Sequence, residues 1–353
     1  MDLRRACRWL ALPALAFISS YALAQSTFPP GQPGQPTDCG GAECNAGGSS
    51  GITATQQQGT VIAPLLAISD AAAMSLRQAG GFGPTRLSSR PETGLAGAAQ
   101  GSRWGLWAAL AQTGVDYRFA PLASEGDINS YILGGDYRLT DTLVLGISVA
   151  VDDTRIDTRY NGGRLTGRGY NIAPYLGWQI TEAWSLDATI GIGRADVDVV
   201  DNLALAHGST DSSRAFGALN LNYSRWRGNW EFAGKATLLQ SEEDRDAFSM
   251  SNGLLVPESV TRLGQLRILG QVSYLTAAGF NPYVSVGYAH DYQSTAQVSV
   301  NGQTPLNEHS GWIYVAGVNF YSKGAMSAGL RYEVQDRDEQ AISLLMLNVA
   351  LRF

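Results

Sequence analysis

From Trp104 to the end of the chain, apolar and polar residues alternate along segments of nine or more positions, such as 143–151, 170–178 and 184–192. Successive side chains of a β-strand point to opposite faces, so this pattern predicts strands with one apolar and one polar face. Nine positions is about the length that a tilted strand needs to cross a bilayer. The turns between these strands recur about every 45 residues, and propeller blades repeat at a similar period, but the strands of a blade are short. The pattern therefore predicts transmembrane strands.

The connections between these strands are of two alternating kinds. Very short ones lie near residues 140–141, 181–182, 227–229, 277–279 and 323–324. Long ones, rich in Asp, Asn, Ser and Gly, lie around residues 119–127, 159–166, 200–211, 244–258, 296–309 and 336–340. Five short and six long connections join twelve strands. The first strand then begins, and the last strand ends, on the side of the barrel that carries the short turns. The fold class predicted for residues 103–353 is all-β, a transmembrane antiparallel β-barrel.

The polar face of these strands carries charged side chains that suit a water-filled lumen. The candidates for the lumen are Glu231, Lys235, Arg267, Arg331 and Glu333. Such residues either form ion pairs that fill the pore or line a path for a permeant, and their sequence positions do not separate these two roles.

Tryptophans flank two of the short turns. Trp178 and Trp184 flank the first, and Trp226 and Trp230 flank the second. Indoles are enriched where a membrane protein meets the lipid headgroups, so we expect these four to form an interface girdle.

The last strand has a regular apolar face. Its members are Leu345, Leu347, Val349, Leu351 and the terminal aromatic Phe353. These positions differ by two, so they share one face, which we expect to meet lipid. The strand also resembles the C-terminal assembly signal of bacterial outer-membrane barrels.

The region before Trp104 differs in pattern. Residues 1–24 combine three arginines, an apolar run and Ala22-Leu23-Ala24, which predicts a cleaved signal peptide. Residues 25–59 are rich in Pro and Gly and predict a disordered tail. Helical spacing of apolar residues predicts a helix over 60–79, followed by a linker over 80–102. No stretch after the signal peptide resembles a lipid-spanning helix, so any membrane span is expected to be β.

Charge and cysteine content narrow the function classes. Removing Arg4, Arg5, Arg8 and Asp2 with the signal peptide leaves 22 basic and 30 acidic residues, which disfavours nucleic acid as a partner. Cys39 and Cys44 remain, separated by a Gly-rich segment that allows a short loop to close. In an oxidising compartment they are expected to form a disulfide. This segment offers too few ligands for a metal site, and no cofactor is expected.

Several segments resemble the autotransporter β-domain family, the translocators of type V secretion. The resemblance rests on loose patterns of Gly, aromatic residues and alternation across residues 100–353. These patterns occur in the terminal strand and in three further segments: Gly101-Ser102-Arg103-Trp104-Gly105-Leu106-Trp107, Gly134-Gly135-Asp136-Tyr137-Arg138-Leu139-Thr140-Asp141-Thr142-Leu143-Val144-Leu145-Gly146 and Pro282-Tyr283-Val284-Ser285-Val286-Gly287-Tyr288.

This resemblance implies a monomeric twelve-stranded translocator in the outer membrane of a Gram-negative bacterium, embedded in lipid, with a helix that threads the pore. It also implies assembly by periplasmic chaperones and the barrel-assembly machinery. Family members carry passengers of several hundred residues, whereas only a short segment precedes this barrel. The Asn-Asn pair used for linker cleavage in one branch of the family is absent.

Two functions from different classes remain open. The first is an autotransporter-type barrel that translocates or displays its short N-terminal segment, including the Cys39–Cys44 loop. The second is an outer-membrane pore, adhesin or structural barrel that acts through its lumen or surface loops. The sequence does not separate them, and a conductance measurement would.

An enzyme is the least favoured interpretation. His207-Gly208-Ser209 resembles the His-x-Ser pattern of outer-membrane lipid hydrolases, and Asp152-Asp153 with His290-Asp291 matches the composition of an omptin protease site. Both patterns are small, and they lie in loops where Asp and Ser are common. We expect no catalytic activity.

Overall fold

The structure is a computed structural model that describes residues 42–80, 103–295, 306, 309–321 and 326–353. Within residues 42–80, side chains are described for 56–77. The predicted signal peptide, Cys39, the side chain of Cys44 and the greater part of the 80–102 linker lie outside the described residues.

Twelve long antiparallel strands close into a barrel in which β1 pairs with β14, and this confirms the predicted fold class. The barrel strands are β1 (Trp104–Tyr117), β2 (Ser124–Thr140), β3 (Leu143–Thr158), β4 (Gly163–Gln179), β5 (Trp184–Asp201), β6 (Ala206–Arg227), β7 (Trp230–Arg245), β10 (Ser259–Tyr274), β11 (Phe280–Ser294), β12 (Ser310–Tyr321), β13 (Met326–Asp336) and β14 (Gln340–Arg352). A small hairpin of β8 (Phe248–Ser249) and β9 (Leu255–Val256) lies between β7 and β10.

The two ends of the barrel differ. One end, here called the turn end, carries the short connections after β2, β4 and β6 together with Phe353. The other, called the loop end, carries the β8–β9 hairpin and the connections after β1, β3 and β5. Strands extend into the segments predicted as long loops, since β2 begins at Ser124 and β6 at Ala206. Neighbouring backbones pair there although the side chains are polar, because beyond the lipid level an outward polar side chain meets water.

Burial alternates along the strands as the sequence pattern predicts. On β5, Ile190 and Ile192 point outward and are 63% and 64% exposed, whereas the adjacent inward positions are covered. The predicted lipid face of β14 also points outward. Leu345, Leu347 and Leu351 are exposed and Val349 is half-buried, whereas Asn348 is buried on the inward face.

Three of the four girdle tryptophans point outward: Trp178, Trp184 and Trp230 are exposed. Trp226 is an exception and corrects the prediction. It pairs in register with Glu231, which is fully buried in the lumen, so both side chains lie on the inward face. The hairpin register places Arg227, not Trp226, opposite Trp230. Proximity to a turn does not decide the face of a strand; register does.

Helix α1 (Ala42–Gly80) runs inside the barrel and contacts β1–β6, β9, β10 and β14. It begins well before residue 60, which corrects the predicted start of the helix and shortens the predicted tail. Gln56, Gln57 and Gln58 are buried although they are polar, and the lumen wall offers hydrogen-bond partners to Gln57 and Gln58. The sequence pattern indicates that the apolar face of the helix ends at these residues. It does not reveal the polar partners on the wall.

Among the described residues, one helical segment, Gln56–Arg77, is long and apolar enough to cross a membrane by length and composition. This differs from the expectation that no such stretch follows the signal peptide. The segment is enclosed by the barrel wall, so its apolar residues contact protein side chains.

Candidate functional site

The middle of the helix packs against an apolar part of the lumen. Val61, Leu65, Ile68 and their apolar neighbours on the helix form one buried cluster with wall residues. The wall contributes several small side chains that leave room for the helix, together with larger ones that fill the remaining space: Trp107, Ala109, Ala111, Ile132, Ala150, Ala173, Tyr175, Phe216, Ala218, Leu239, Leu263, Leu344 and Met346. The charged positions in the sequence suggested a uniformly polar lumen, but its middle part is apolar.

At the turn end, an ion pair to a buried carboxylate fixes the helix. Arg77 Nη2 lies 2.9 Å from Glu231 Oε1, and Arg77 Nη1 donates to the Tyr321 hydroxyl at 2.9 Å. Glu231 has no exposed side-chain surface and also accepts from Ser224 Oγ at 2.6 Å and Ser273 Oγ at 3.0 Å. These donors satisfy a carboxylate that would otherwise be costly to bury.

About two turns before Arg77 on the helix, Ser69 joins two charged wall residues. Lys235 Nζ donates to Ser69 Oγ at 2.7 Å, and Ser69 Oγ donates to Asp187 Oδ2 at 3.0 Å. Asn220 Nδ2 and Asn222 Nδ2 donate to the same carboxylate at 2.6 and 2.9 Å. The helix hydroxyl thus connects β5 with β7.

Asp70 approaches Arg331, which belongs to the group of the three remaining charged candidates. Its Oδ2 lies 3.9 Å from Arg331 Nη1. Arg331 Nη2 lies 2.5 Å from Glu333 Oε2, and Arg267 forms an ion pair with the same carboxylate. All five predicted lumen residues therefore point inward, and the structure brings them together around one side of the helix.

A second carboxylate, Asp136, joins the helix to the seam where the barrel closes. It accepts from Ser75 Oγ of the helix at 2.8 Å and pairs with Arg352 Nη2 of the last strand at 2.9 Å. Gly105 on β1 lies between Asp136 and Arg352 in the register of both neighbours. A Cβ at Gly105 would lie 2.8 Å from Asp136 Oδ1, so glycine leaves the space that this ion pair occupies.

Sequence reasoning did not single out Ser69, Ser75 or Gln56–Gln58 as contact residues. Small polar residues within an apolar helix are a weak signal, because the same residues occur on exposed helix surfaces. Asp136 had a stronger signal, since it follows two glycines on the face that carries the lumen charges.

The residues of the enzyme patterns lie near the loop end. His207 and Ser209 are exposed on the outward face of β6. His290 and Asp291 are consecutive on β11 and point to opposite faces; His290 Nδ1 lies 2.9 Å from Ser310 Oγ, whereas Asp291 is buried against Arg337. Asp152 points inward, 4.0 Å from Arg214, and Asp153 points outward.

An apolar outer face, a closed strand order and a helix held in the lumen by buried polar contacts define a transmembrane β-barrel of the outer-membrane class with an internal plug. The chain belongs to the autotransporter β-domain family, whose model matches residues 98–336, more than half of the chain. The barrel is therefore a monomer embedded in the outer membrane of a Gram-negative bacterium. Its turn end faces the periplasm and its loop end the exterior.

Two solved structures share this fold. The translocator domain of the autotransporter NalP from Neisseria meningitidis superimposes with a TM-score of 0.62 at 11% identity, covering 81% of this chain and 98% of that one. The β-domain of the Bordetella autotransporter BrkA gives a TM-score of 0.57 at 16% identity, covering 71% of this chain and 100% of that one. Among curated proteins, no match is found.

Proposed function

We propose that this autotransporter barrel translocates its own N-terminal segment and displays residues 25–55 on the cell surface. The observation that supports the proposal is the direction of the helix. Gln57 Nε2 donates to the Thr261 carbonyl at 3.2 Å, near the start of β10 at the loop end. Arg77 pairs with Glu231, the second residue of β7, at the turn end. The chain therefore leaves the lumen toward the exterior in the N-terminal direction.

The length of the helix fits this role. From Gln56 to Arg77 the segment has 22 residues, which at 1.5 Å per residue span about 33 Å. The apolar band of such barrels is about 25 Å tall. The helix is thus long enough to pass the whole membrane level and to place residue 55 beyond the lipid.

An epitope tag inserted near Gly48 tests the proposal. We expect an added protease to remove this tag from intact cells. The matched control is the same tag inserted at Gly228 in the β6–β7 turn, which we expect to be cut only after the outer membrane is broken. If the Gly48 tag also requires a broken membrane, the segment is not displayed.

We also propose that periplasmic chaperones and the barrel-assembly machinery insert this barrel, and that the machinery reads the outward apolar row of β14. The exposed residues Leu345, Leu347, Leu351 and Phe353 support this, because they present one continuous ridge at the seam with β1.

The alternative functions have less support. The seated helix occupies the lumen, which weighs against a freely open pore. Catalysis has little support as well. On β11, His290 and Asp291 point to opposite faces, and on β6, His207 and Ser209 point to the outer surface. We therefore propose that the barrel is not an enzyme. Incubation of the purified barrel with lipid and peptide substrates tests this, and turnover that is lost in His207→Ala or His290→Ala would contradict it.

A further inference from the structure

Three consecutive glutamines of the helix project toward the lumen wall at the loop end. We call Gln56, Gln57 and Gln58 the glutamine collar. Each is no more than 3% exposed. Gln57 donates to the Thr261 carbonyl on β10, and Gln58 Oε1 accepts from Gln340 Nε2 on β14 at 3.0 Å. With the Gln335 amide oriented for hydrogen bonding, its oxygen accepts from Gln58 Nε2 at 3.0 Å. Gln57 and Gln58 therefore hydrogen-bond to the wall directly.

The geometry of a helix explains why consecutive residues suit this task. Each residue is rotated by about 100° from the previous one, so three in a row point in three directions around the lumen. Gln56 lies against Gly167 on β4, Gln57 against β10 and Gln58 against β13 and β14. In barrel order these wall positions are separated by roughly a third of the circumference. The step along the helix matches the step around the barrel.

The next residue completes the enclosure. Gly59 faces β1 and β2 so closely that a Cβ would lie 2.5 Å from Ile128 Cδ1. Beside Gln58, the lumen is filled by Arg337, whose Nη1 lies 2.6 Å from Asp291 Oδ2, and by Gln265, which donates to Asp291 at 2.7 Å. The helix is thus in contact with wall residues in every direction at this level.

The turn end is different. Within the described side chains of the helix, every residue is buried except Asp70, Ala73 and Arg77. Their spacing places them on one stripe of the helix. The stripe lines a cavity of about 140 Å³ whose wall includes Lys235, Gln271, Asn222 and Arg331. The cavity extends to Thr181 and Glu182 in the β4–β5 turn, so it reaches the periplasmic end of the barrel.

We propose that the cavity beside the helix is a vestibule that admits water and small ions from the periplasm and that the glutamine collar is the gate that closes the lumen toward the exterior. Charged side chains of both signs line the vestibule, among them Asp70, Lys235 and Arg331, and they suit hydrated ions. The collar closes the lumen with three neutral amides, and those of Gln57 and Gln58 hydrogen-bond to the wall. This inference concerns permeation and holds whether or not residues 25–55 are displayed.

Matched triple substitutions test where the gate lies. We expect Q56A/Q57A/Q58A to raise single-channel conductance severalfold in planar bilayers, because removal of three amides opens the closed level. We expect Q179A/Q271A/S285A, which shortens three polar side chains of the vestibule wall, to leave conductance nearly unchanged. A vestibule triple that raises conductance as much as the collar triple overturns the proposal, and so does a collar triple without effect. Heat-modifiable gel mobility verifies folding, and Gln57→Ala alone is the milder variant.

Thiol reactivity tests the vestibule itself, with Cys39 and Cys44 replaced by Ser. In the folded barrel in detergent, we expect a small charged thiol reagent to modify Gln271→Cys at a rate close to that of Asn252→Cys on the exposed loop. Gln265→Cys, beside the collar, is expected to react much more slowly and to become fast when the collar triple is added. A Gln271→Cys that resists the reagent overturns the vestibule. Because the Gly48 tag reports display separately, failure here and failure of display are distinguishable.

Discussion

Asp136 connects three parts of the chain through one buried carboxylate: the helix through Ser75, the last strand through Arg352 and, by a 3.4 Å contact, the Tyr175 hydroxyl. Trp107 Nε1 in turn donates to that hydroxyl at 2.7 Å. Closure of the barrel and seating of the helix therefore depend on the same residue.

We expect Asp136→Ala to destabilise the barrel by about 3–5 kcal/mol, because it leaves the Arg352 guanidinium buried without its partner. The measurement is the temperature at which the barrel loses its compact form on gels. Asp127→Ala on the same strand is the control, since Asp127 is exposed on the outward face. Equal transition temperatures for the two variants would show that the seam ion pair is not needed.

A smaller change tests the contact between helix and wall. We expect Gly59→Ala to destabilise by about 1–3 kcal/mol through overpacking against Ile128 Cδ1. Ile128→Val removes that methyl group, so the double variant G59A/I128V should recover most of the loss. Thermal unfolding of the purified barrel measures both. If the double variant is as unstable as the sum of the two single changes, the helix does not approach β2 at this point.

At the scale of the element, the last strand carries two faces with opposite requirements. Leu351 is exposed toward lipid, whereas Asn348 is buried in the lumen, where its amide oxygen would lie 2.6 Å from a Cβ at Gly329.

We expect Leu351→Asp, and deletion of Phe353, to reduce the amount of assembled barrel in the outer membrane far more than Asn348→Ser does. On the lipid face of such a barrel, Arg or Lys at the midplane costs roughly 2–4 kcal/mol, and an aspartate or a position near an interface costs less. The aspartate also interrupts the apolar row. The assembled fraction is read from heat-modifiable protein in isolated membranes. Similar assembly of all three variants would contradict the proposed role of this row.

The elements also show what sequence pattern determines. Alternation on β5 and β14 determines which side chains face lipid, because a register shift of one residue would move every side chain to the opposite face of the sheet. It failed for Trp226, whose face depends on the pairing across the β6–β7 turn, and for the start of the helix. It did not reveal the β8–β9 hairpin, which packs through Met250 and Val256 against Ala206. Contacts distant in sequence decide these features, and pattern within one segment does not record them.

At the scale of the whole molecule, the helix and the barrel form a plugged channel. We expect deletion of residues 25–79 to raise single-channel conductance above that of the full chain, because the deletion empties the lumen while the strand pairing remains. The control is deletion of residues 25–41, which leaves α1 intact and should not change conductance. Equal conductance of the full chain and the 25–79 deletion would show that the helix does not block the pore.

The helix lies in the lumen in one direction, and an engineered disulfide between helix and wall tests this most directly. An ideal Cβ at Gly177 lies 3.3 Å from Ala72 Cβ, close to the 3.5–4.5 Å of disulfides. Gly167, the control position, lies on the same strand near Gln56 at the loop end. In a chain lacking Cys39 and Cys44 and carrying a protease site at Gly94, A72C/G177C should hold the cut fragments together until reductant is added, and A72C/G167C should not. Fragments that separate in the first variant, or stay joined in the second, would contradict the position of the helix.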